Sequence, residues 1–505
     1  MAWLAYSNAL DALKPKARRV SKLAVNDEET LDPTDWPAFQ LQAHAMLDDM
    51  LGHMQTLRTR PVWQAIPDRV RHRFTDALPQ QGTDLAHLHQ RFLSDVVPYS
   101  VGNAHPGFMG WVQGGGTAVG MLAEMLAAGL NANVGGRDQI PLAVEKQILL
   151  WMVELFKFPA TANGLFVTGT SIANLIAVLI ARTARLGQAV REDGLTPNTR
   201  RLTAYTSAGA HVCVSQAMDL TGLGTHALRI IPVNAQCQID TTLLQAAIKA
   251  DQAAGFEPFF IVGSAGTVDV GAVDDLAALA TIADTENLWF HVDGAFGALG
   301  MLSPQVAPLL AGIERADSIA FDFHKWGQVP YDAGYILVRD GTHQLDTFAK
   351  STTYLQRDAR GMSAGSPWPC DLGPDLSRGF RALKTWFTIG TFGTEKLGRM
   401  IQKTCELAQY LKFKIQQDNR LELLAPVSLS IVCFRYAAGP LDTINQLNAD
   451  ILIALQESGV VAPSGTWIGL DFALRAAIMN HRSTAVDIDH LIQQVLILGD
   501  KLREH

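Results

Sequence analysis

The chain has 505 residues, of which 48% are hydrophobic and 18% charged, and its net charge is −8. That length exceeds one compact core and predicts two or three domains. The acidic balance, interrupted only by the short cluster Lys14-Pro-Lys-Ala-Arg-Arg19, argues against a nucleic-acid partner.

In chain order, residues from about 26 to 98 carry a helical rhythm, seen in Phe39, Leu41, Ala45, Met46 and Leu47 and again from Leu85 to Phe92. Prolines at 61, 67, 79 and 98 cut this stretch into short pieces. Residues 1–98 are therefore expected to form a helical arm or layer that packs on something else, for which a partner subunit is the natural candidate. Near the start, Trp3 and Leu4 precede the basic residues, the reverse of a signal peptide. The longest apolar run, Leu175 to Ala181, is too short to cross a bilayer. A cytoplasmic protein is expected.

From about residue 160 the rhythm changes. Strand candidates are 165–168, 202–206, 227–233, 259–263, 288–293, 317–321 and 334–338, with helical patterns at 171–186, 210–221, 241–254 and 274–286. This alternation predicts an α/β domain over residues 99–383, built on a mostly parallel seven-stranded sheet covered on both faces. Ligands of such sheets bind beyond the carboxyl ends of the strands. Residues 351–374 are rich in Gly, Ser, Pro and Asp and form a candidate functional loop. Beyond it, helical patterns at 394–417, 441–457 and 485–503 alternate with strand-like 430–435 and 472–479, which predicts a small α+β domain over 384–505. Five cysteines (213, 237, 370, 405 and 433) stand singly without a CxxC pair, so neither a disulfide framework nor a zinc site is expected.

The chemistry gathers at strand ends. Ser318-Ile-Ala-Phe-Asp322-Phe-His324-Lys325-Trp326 places a lysine just after an apolar strand, and Leu288-Trp-Phe-His-Val-Asp293 ends a neighbouring strand in an acid. These are the two protein groups that pyridoxal 5'-phosphate (PLP) needs. The lysine amine bonds to the cofactor aldehyde, and the carboxylate keeps the pyridine nitrogen protonated so that the ring accepts electrons. Thr168-Gly169-Thr170-Ser171 joins a strand to a helix, where backbone N–H groups and small hydroxyls suit a phosphate, although such a junction alone can be a plain helix cap. His211 can cap a helix or stack on the cofactor ring, Thr267 follows another strand end, and Ala295 would put a small side chain against the ring.

With these segments in place, the chain resembles the group II PLP-dependent amino-acid decarboxylases, which include aromatic-L-amino-acid, glutamate and histidine decarboxylases. The resemblance runs through His105-Pro-Gly-Phe108, Thr168–Asn174, Ala210-His211, Gly263–Gly271, His291-Val-Asp293-Gly-Ala295, and Asp322-Phe-His324-Lys325-Trp326 with Pro330-Tyr-Asp-Ala-Gly334. It implies PLP fold type I and a homodimer with the active site at the subunit boundary. It further implies catalytic roles for Lys325, His211, Tyr354 and Asp293. Cofactor contacts would come from Thr170, Ser171, His211, Thr267, Asp293, Ala295, His324 and Lys325. Tyr354, in Ser351-Thr-Thr-Tyr354-Leu, matches a mobile-loop tyrosine implicated in protonating the substrate α-carbon; relatives with phenylalanine there can form aldehydes instead. The segment His105-Pro-Gly-Phe108-Met-Gly-Trp111 would line the substrate side-chain pocket, partly from the partner subunit, and its aromatic residues lean toward an aromatic amino acid. Arg475, or the Asn480-His481-Arg482 cluster, could instead hold the second carboxylate of an acidic one. Gly294 and Ala333 depart from the family's usual alanine and cysteine, and Asp322 would repel the phosphate unless turned toward backbone donors. The competing expectations are another fold type I enzyme (a carbon–carbon lyase, an aldehyde-forming decarboxylase or an aminotransferase), and a PLP-binding protein without efficient catalysis.

Overall fold

The computed structural model describes residues 30–350, 357–440 and 442–504, so Tyr354 and residues 1–29 lie outside the described part. The N-terminal region is helical, as expected: a helix at Trp36–Gln55, capped by the Asp35 side chain, precedes short helices at Asp68–His72 and Leu85–Arg91. The first of these helices buries none of its residues, and it leaves Trp36, Phe39 and Leu41 exposed.

Strand β1 (Phe108–Met109) comes next, followed by β2 (Asn163–Val167), β3 (Leu202–Ser207), β4 (Leu228–Ile231), β5 (Glu257–Ser264), β6 (Trp289–Asp293), β7 (Ser318–Asp322) and β8 (Gly334–Val338). Strands β2 to β8 form a seven-stranded sheet in the order β2-β8-β7-β6-β5-β3-β4. The pairs within β4-β3-β5-β6-β7 are parallel, whereas β8 runs antiparallel to both β7 and β2. Alternate residues of each strand enter two separate cores. Phe166, Tyr205, Ile261, Phe290, Ile319, Phe321 and Tyr335 join one, while Leu165, Val167, Ala204, Phe260, Val262, Ala320 and Ile336 join the other. A period of two with both phases apolar is what a sheet buried on both faces requires. The helix Thr170–Leu186 covers the second face through Ala173, Ile176, Ala177, Ile180 and Ala181, a stripe at helical spacing. Within that stripe Ile176 and Ile180 each contribute about 1.5–3 kcal/mol on burial, and the alanines less.

The second sheet, ordered β1-β11-β12-β10-β9, adds β9 (Leu421–Leu423), β10 (Ile431–Tyr436), β11 (Ala462–Ile468) and β12 (Asp471–Ala477). Strand β11 escapes the sequence pattern because Pro463, Ser464 and Gly465 interrupt its hydrophobicity. Phe108 and Met109 pair in parallel with Ala462 and Pro463, so this stretch of the 99–383 region is built into the small sheet. The long helix Arg381–Gln416 crosses the expected boundary at 383/384, and its helical conformation breaks at Gly393, where φ is 69°.

Two glycines are required by close packing. A Cβ on Gly334 would fall 2.4 Å from Gly169 Cα, so β8 and the loop after β2 can touch only backbone to backbone. A Cβ on Gly294 would fall 2.5 Å from Ala298 Cβ, which excludes here the alanine usual in relatives. Among the described residues no helix is long and apolar enough to cross a membrane.

Candidate active site

Parallel strands end on one edge, and that edge collects the chemistry. The segments following β2, β3, β5, β6 and β7 deliver Thr170 and Ser171, His211, Thr267, Asp293 with Ala295, and Lys325 respectively, all into one cavity of about 620 Å³. Adjacent β6 and β7 are paired with Asp293 opposite Ala320, which sets the acid beside the turn that carries the lysine. The small domain closes the other side through Ser464, Gly465 and Arg475, and the loop before the helix Ala118–Leu130 adds Trp111, Val112 and Gln113.

Asp293 is the end of a hydrogen-bonded chain. Asn174 Nδ2 donates to its Oδ2 at 3.1 Å, and Ala295 N donates to its Oδ1 at 3.1 Å. The Asn174 carbonyl Oδ1 faces His291 Nε2 at 2.8 Å, while His291 Nδ1 faces Ser318 Oγ at 2.8 Å. Trp289 Nε1 donates to that same serine oxygen at 2.8 Å. One arrangement of protons satisfies all these contacts: Ser318 donates to Nδ1, and a neutral His291 donates from Nε2 to Asn174. The chain fixes the Asp293 carboxylate in position, with no freedom for Asn174 to flip. Burial raises the Asp293 pKa, against the opposing pull of Lys325. A buried carboxylate of this kind, aimed into a cavity, has a strong demand for a cationic partner.

His291 is pushed down to about 3 by burial. Because this folded value lies below the ordinary 6.5, the unfolded chain takes up the proton first as pH falls. Stability from this group is complete above about 6.5 and is lost progressively as pH drops from there toward about 3, at up to roughly 1.4 kcal/mol per pH unit. Urea unfolding between pH 7 and pH 5 should therefore show a steeper loss for the wild type than for His291→Gln. Equal slopes would place the histidine's charge state outside the folding balance.

Lys325 Nζ lies 2.9 Å from Asp322 Oδ2, and Asp322 Oδ1 accepts from Thr170 N at 2.8 Å. In the chain without cofactor one Asp322 oxygen is thus turned toward a backbone donor at the helix N-terminus and the other toward the lysine ammonium. His324 is buried, accepts from Ala333 N at Nδ1 (3.1 Å) and lies against the Tyr331 ring at 4.3 Å. Burial lowers its pKa, with Lys325 adding to the effect. His211 caps the helix Val212–Leu220 through Cys213 N, and it also lines the cavity. Thr267 Oγ1 accepts from Ala272 N at 3.0 Å, which leaves its own proton to donate.

The residues present fit the expected cofactor. Thr170 Oγ1 is buried at the cavity without a hydrogen-bond partner, beside a glycine that leaves the helix N-terminus open, as a phosphate would require. Asp293 is a buried carboxylate that would suit a ring nitrogen, and Lys325 offers a one-fifth-exposed amine in the same cavity.

Of the substrate-side residues, Trp111 and Arg475 reach the cavity of their own chain, whereas His105 and Phe108 do not. His105 and Phe108 do not line the cavity within the chain, because pairing of β1 with β11 turns Phe108 inward between Val62 and Ala462. His105 is likewise buried, accepting from Gly107 N at 2.9 Å. Trp111 and Val112, a few residues on, do line it. Arg475 reaches the cavity but is occupied: it donates to the carbonyls of Asp269 (3.0 Å), Gly110 (2.8 Å) and Val268 (2.6 Å) and to Ser464 Oγ (3.0 Å). The Asn480-His481-Arg482 cluster is spent on the same loop, bonding the carbonyls of Asn103, His105, Gly116 and Gly115. The two arginines, Arg475 and Arg482, clasp backbone rather than await a second carboxylate. Sequence reading missed Asp269 and Ser464; the sole signal for Asp269 was its place two residues after Thr267.

A family model described as the pyridoxal-dependent decarboxylase conserved domain matches residues 67–437. An aromatic-L-amino-acid decarboxylase of Bacillus atrophaeus is 31% identical over 466 residues, covering 90% of this chain and 94% of the relative. A phenylacetaldehyde synthase of Petunia hybrida is 27% identical, covering 89% and 91%. In structure, an Oryza sativa TDC solved with PLP and tryptamine superposes with a TM-score of 0.85 at 22% identity, covering 94% of this chain and all of that one.

Proposed function

Because this chain belongs to the pyridoxal-dependent decarboxylase family, and so is a PLP-dependent carboxy-lyase acting on an amino acid, we propose that its substrate is an aromatic L-amino acid, released as the amine and carbon dioxide. The observation that carries the aromatic reading is the commitment of Arg475 and Arg482 to backbone carbonyls, which among the described residues leaves neither arginine for an acidic side chain, beside a cavity wall supplied by Trp111.

When bound, PLP supplies the electron sink into which the bond to the departing carboxyl group breaks. In the proposed roles, Thr170 and Ser171 hold its phosphate, Lys325 anchors it, and Asp293 keeps its ring nitrogen protonated through a charge-assisted hydrogen bond in a water-poor site. Ala295 and His211, which line the same cavity, would pack against the ring, Thr267 would donate a hydrogen bond to the cofactor, and His324 would support the neighbouring Lys325. Tyr354, outside the described residues, delivers the proton to the substrate α-carbon.

The working form is proposed to be a cytoplasmic homodimer, with residues 1–98 as a layer on the partner, 99–383 as the cofactor domain and 384–505 as the small domain. Supporting this, Trp36 and Leu41 are exposed on a helix that buries nothing, and Leu122, Met125, Leu126 and Leu130 are exposed on Ala118–Leu130.

Screening the PLP-loaded protein for carbon dioxide release across the common amino acids tests the substrate class; sustained release from glutamate or aspartate alone would refute the aromatic reading. In the same assay Tyr354→Phe should keep its cofactor yet lose amine yield or divert product to aldehyde. An unchanged amine yield would remove Tyr354 from the mechanism.

A further inference from the structure

Three carboxylates line the cavity, those of Asp269, Asp293 and Asp322. The carboxylate oxygens among them can be accounted for one by one. Both oxygens of Asp293 are taken, by Asn174 and Ala295, and both of Asp322, by Thr170 and Lys325. Asp269 differs. Its Oδ1 accepts from Thr466 Oγ1 at 2.6 Å, while Oδ2 has no hydrogen-bond or ion-pair partner among the described residues.

The position of Asp269 is fixed from three sides. Arg475 grips the carbonyls of residues 268 and 269, and Cys433 Sγ approaches the Asp269 carbonyl at 3.4 Å. Thr466, on β11, holds the side chain itself. Arg475 also ties this segment to Gly110, next to Trp111. Asp269 therefore belongs to the wall made by Trp111, Ser464, Gly465 and Arg475, whereas the cofactor groups come from the strand ends of the large sheet. A substrate side chain that points away from the anchored cofactor meets this wall.

We propose that Asp269, oriented by Thr466, is the acceptor that reads the substrate side chain and selects aromatic amino acids carrying a ring donor, a phenolic hydroxyl or an indole N–H, over phenylalanine. The inference rests on the aromatic reading above and names the class within it. A ring donor satisfies Oδ2 once water is expelled. A bare phenyl ring strands the carboxylate without a partner, and a second carboxylate is repelled. Sites built to bond a substrate hydroxyl reject the analogue lacking it far more strongly than apolar pockets reject a missing methylene.

The experiment compares kcat/KM for tyrosine, 3,4-dihydroxyphenylalanine, tryptophan, phenylalanine, diaminobutyrate and lysine in the PLP-loaded wild type, Asp269→Ala, Asp269→Asn and Thr466→Val. The wild type should favour at least one donor-bearing ring over phenylalanine by about 10- to 100-fold, the value of a hydrogen bond to a charged acceptor. Asp269→Ala should erase that preference by lowering kcat/KM on the donor-bearing ring, chiefly through KM, while activity on phenylalanine holds or rises. Thr466→Val should reduce the preference in part. Asp269→Asn, nearly identical in shape, keeps an acceptor and controls for folding by retaining an intermediate preference. Equal proportional losses on phenylalanine and the donor-bearing rings would overturn the proposal. So would a wild-type preference for phenylalanine, or for diaminobutyrate or lysine, whose cationic side chains would also suit a free carboxylate. Carbon dioxide release from none of the aromatic substrates would instead refute the aromatic reading itself.

Discussion

Lys325→Ala should abolish decarboxylation, lowering kcat by on the order of 10³-fold or more, and should remove the visible absorbance of cofactor bonded to the lysine amine. The loss has two parts. The amine that anchors the cofactor and frees the product is gone. In addition, Asp322, 2% exposed, loses the ammonium at 2.9 Å that balances its charge. An unbalanced carboxylate at the N-terminus of Thr170–Leu186 then opposes the phosphate for which that N-terminus is shaped. Stability should fall by less than the roughly 3–5 kcal/mol of a fully buried pair, since Lys325 keeps contact with solvent. Stopped-flow turnover, an absorbance spectrum and a thermal melt read the three effects separately. Wild-type turnover by this variant would end the assignment.

Asp293→Asn should lower kcat by roughly 10²–10³-fold, the scale on which removing one preorganised electrostatic group affects a reaction. Asparagine preserves the shape but cannot hold a proton on the ring nitrogen. The substitution has an opposite effect on the protein without cofactor. Burial raises the Asp293 pKa because the buried charge is costly, so its removal should leave the melting temperature of the cofactor-free protein unchanged or higher. Stabilisation by added PLP should shrink as affinity falls. A variant that lost stability with and without PLP alike would show Asp293 to be structural. Retained turnover would remove it from the chemistry.

The strand-end lysine and acid were legible because a strand's period of two and a helix's 3.6 are written locally, and a parallel sheet brings every strand end to one edge. The seven-stranded sheet followed from the same alternation. His291 was read only as part of a motif. Its role in holding Asn174 against Asp293 depends on Ser318 and Trp289, which meet it only once β6 and β7 pair. Strand β11 was missed because Pro463, Ser464 and Gly465 conceal it, and with it went the wall of the cavity that the small domain supplies.

By itself, then, the sequence determined the chemistry: Lys325, Asp293, His211 and the Thr170–Ser171 junction are where local pattern places them, and PLP follows from that set. Only the tertiary structure decided what faces the substrate. Phe108 and Arg475 have the residue types of a side-chain pocket, yet pairing with β11 turns one into a core, and the carbonyls of Gly110, Val268 and Asp269 claim the other. Those partners lie hundreds of residues apart in the chain. Whether a polar group is free or satisfied depends on such long-range neighbours, and no local periodicity encodes them.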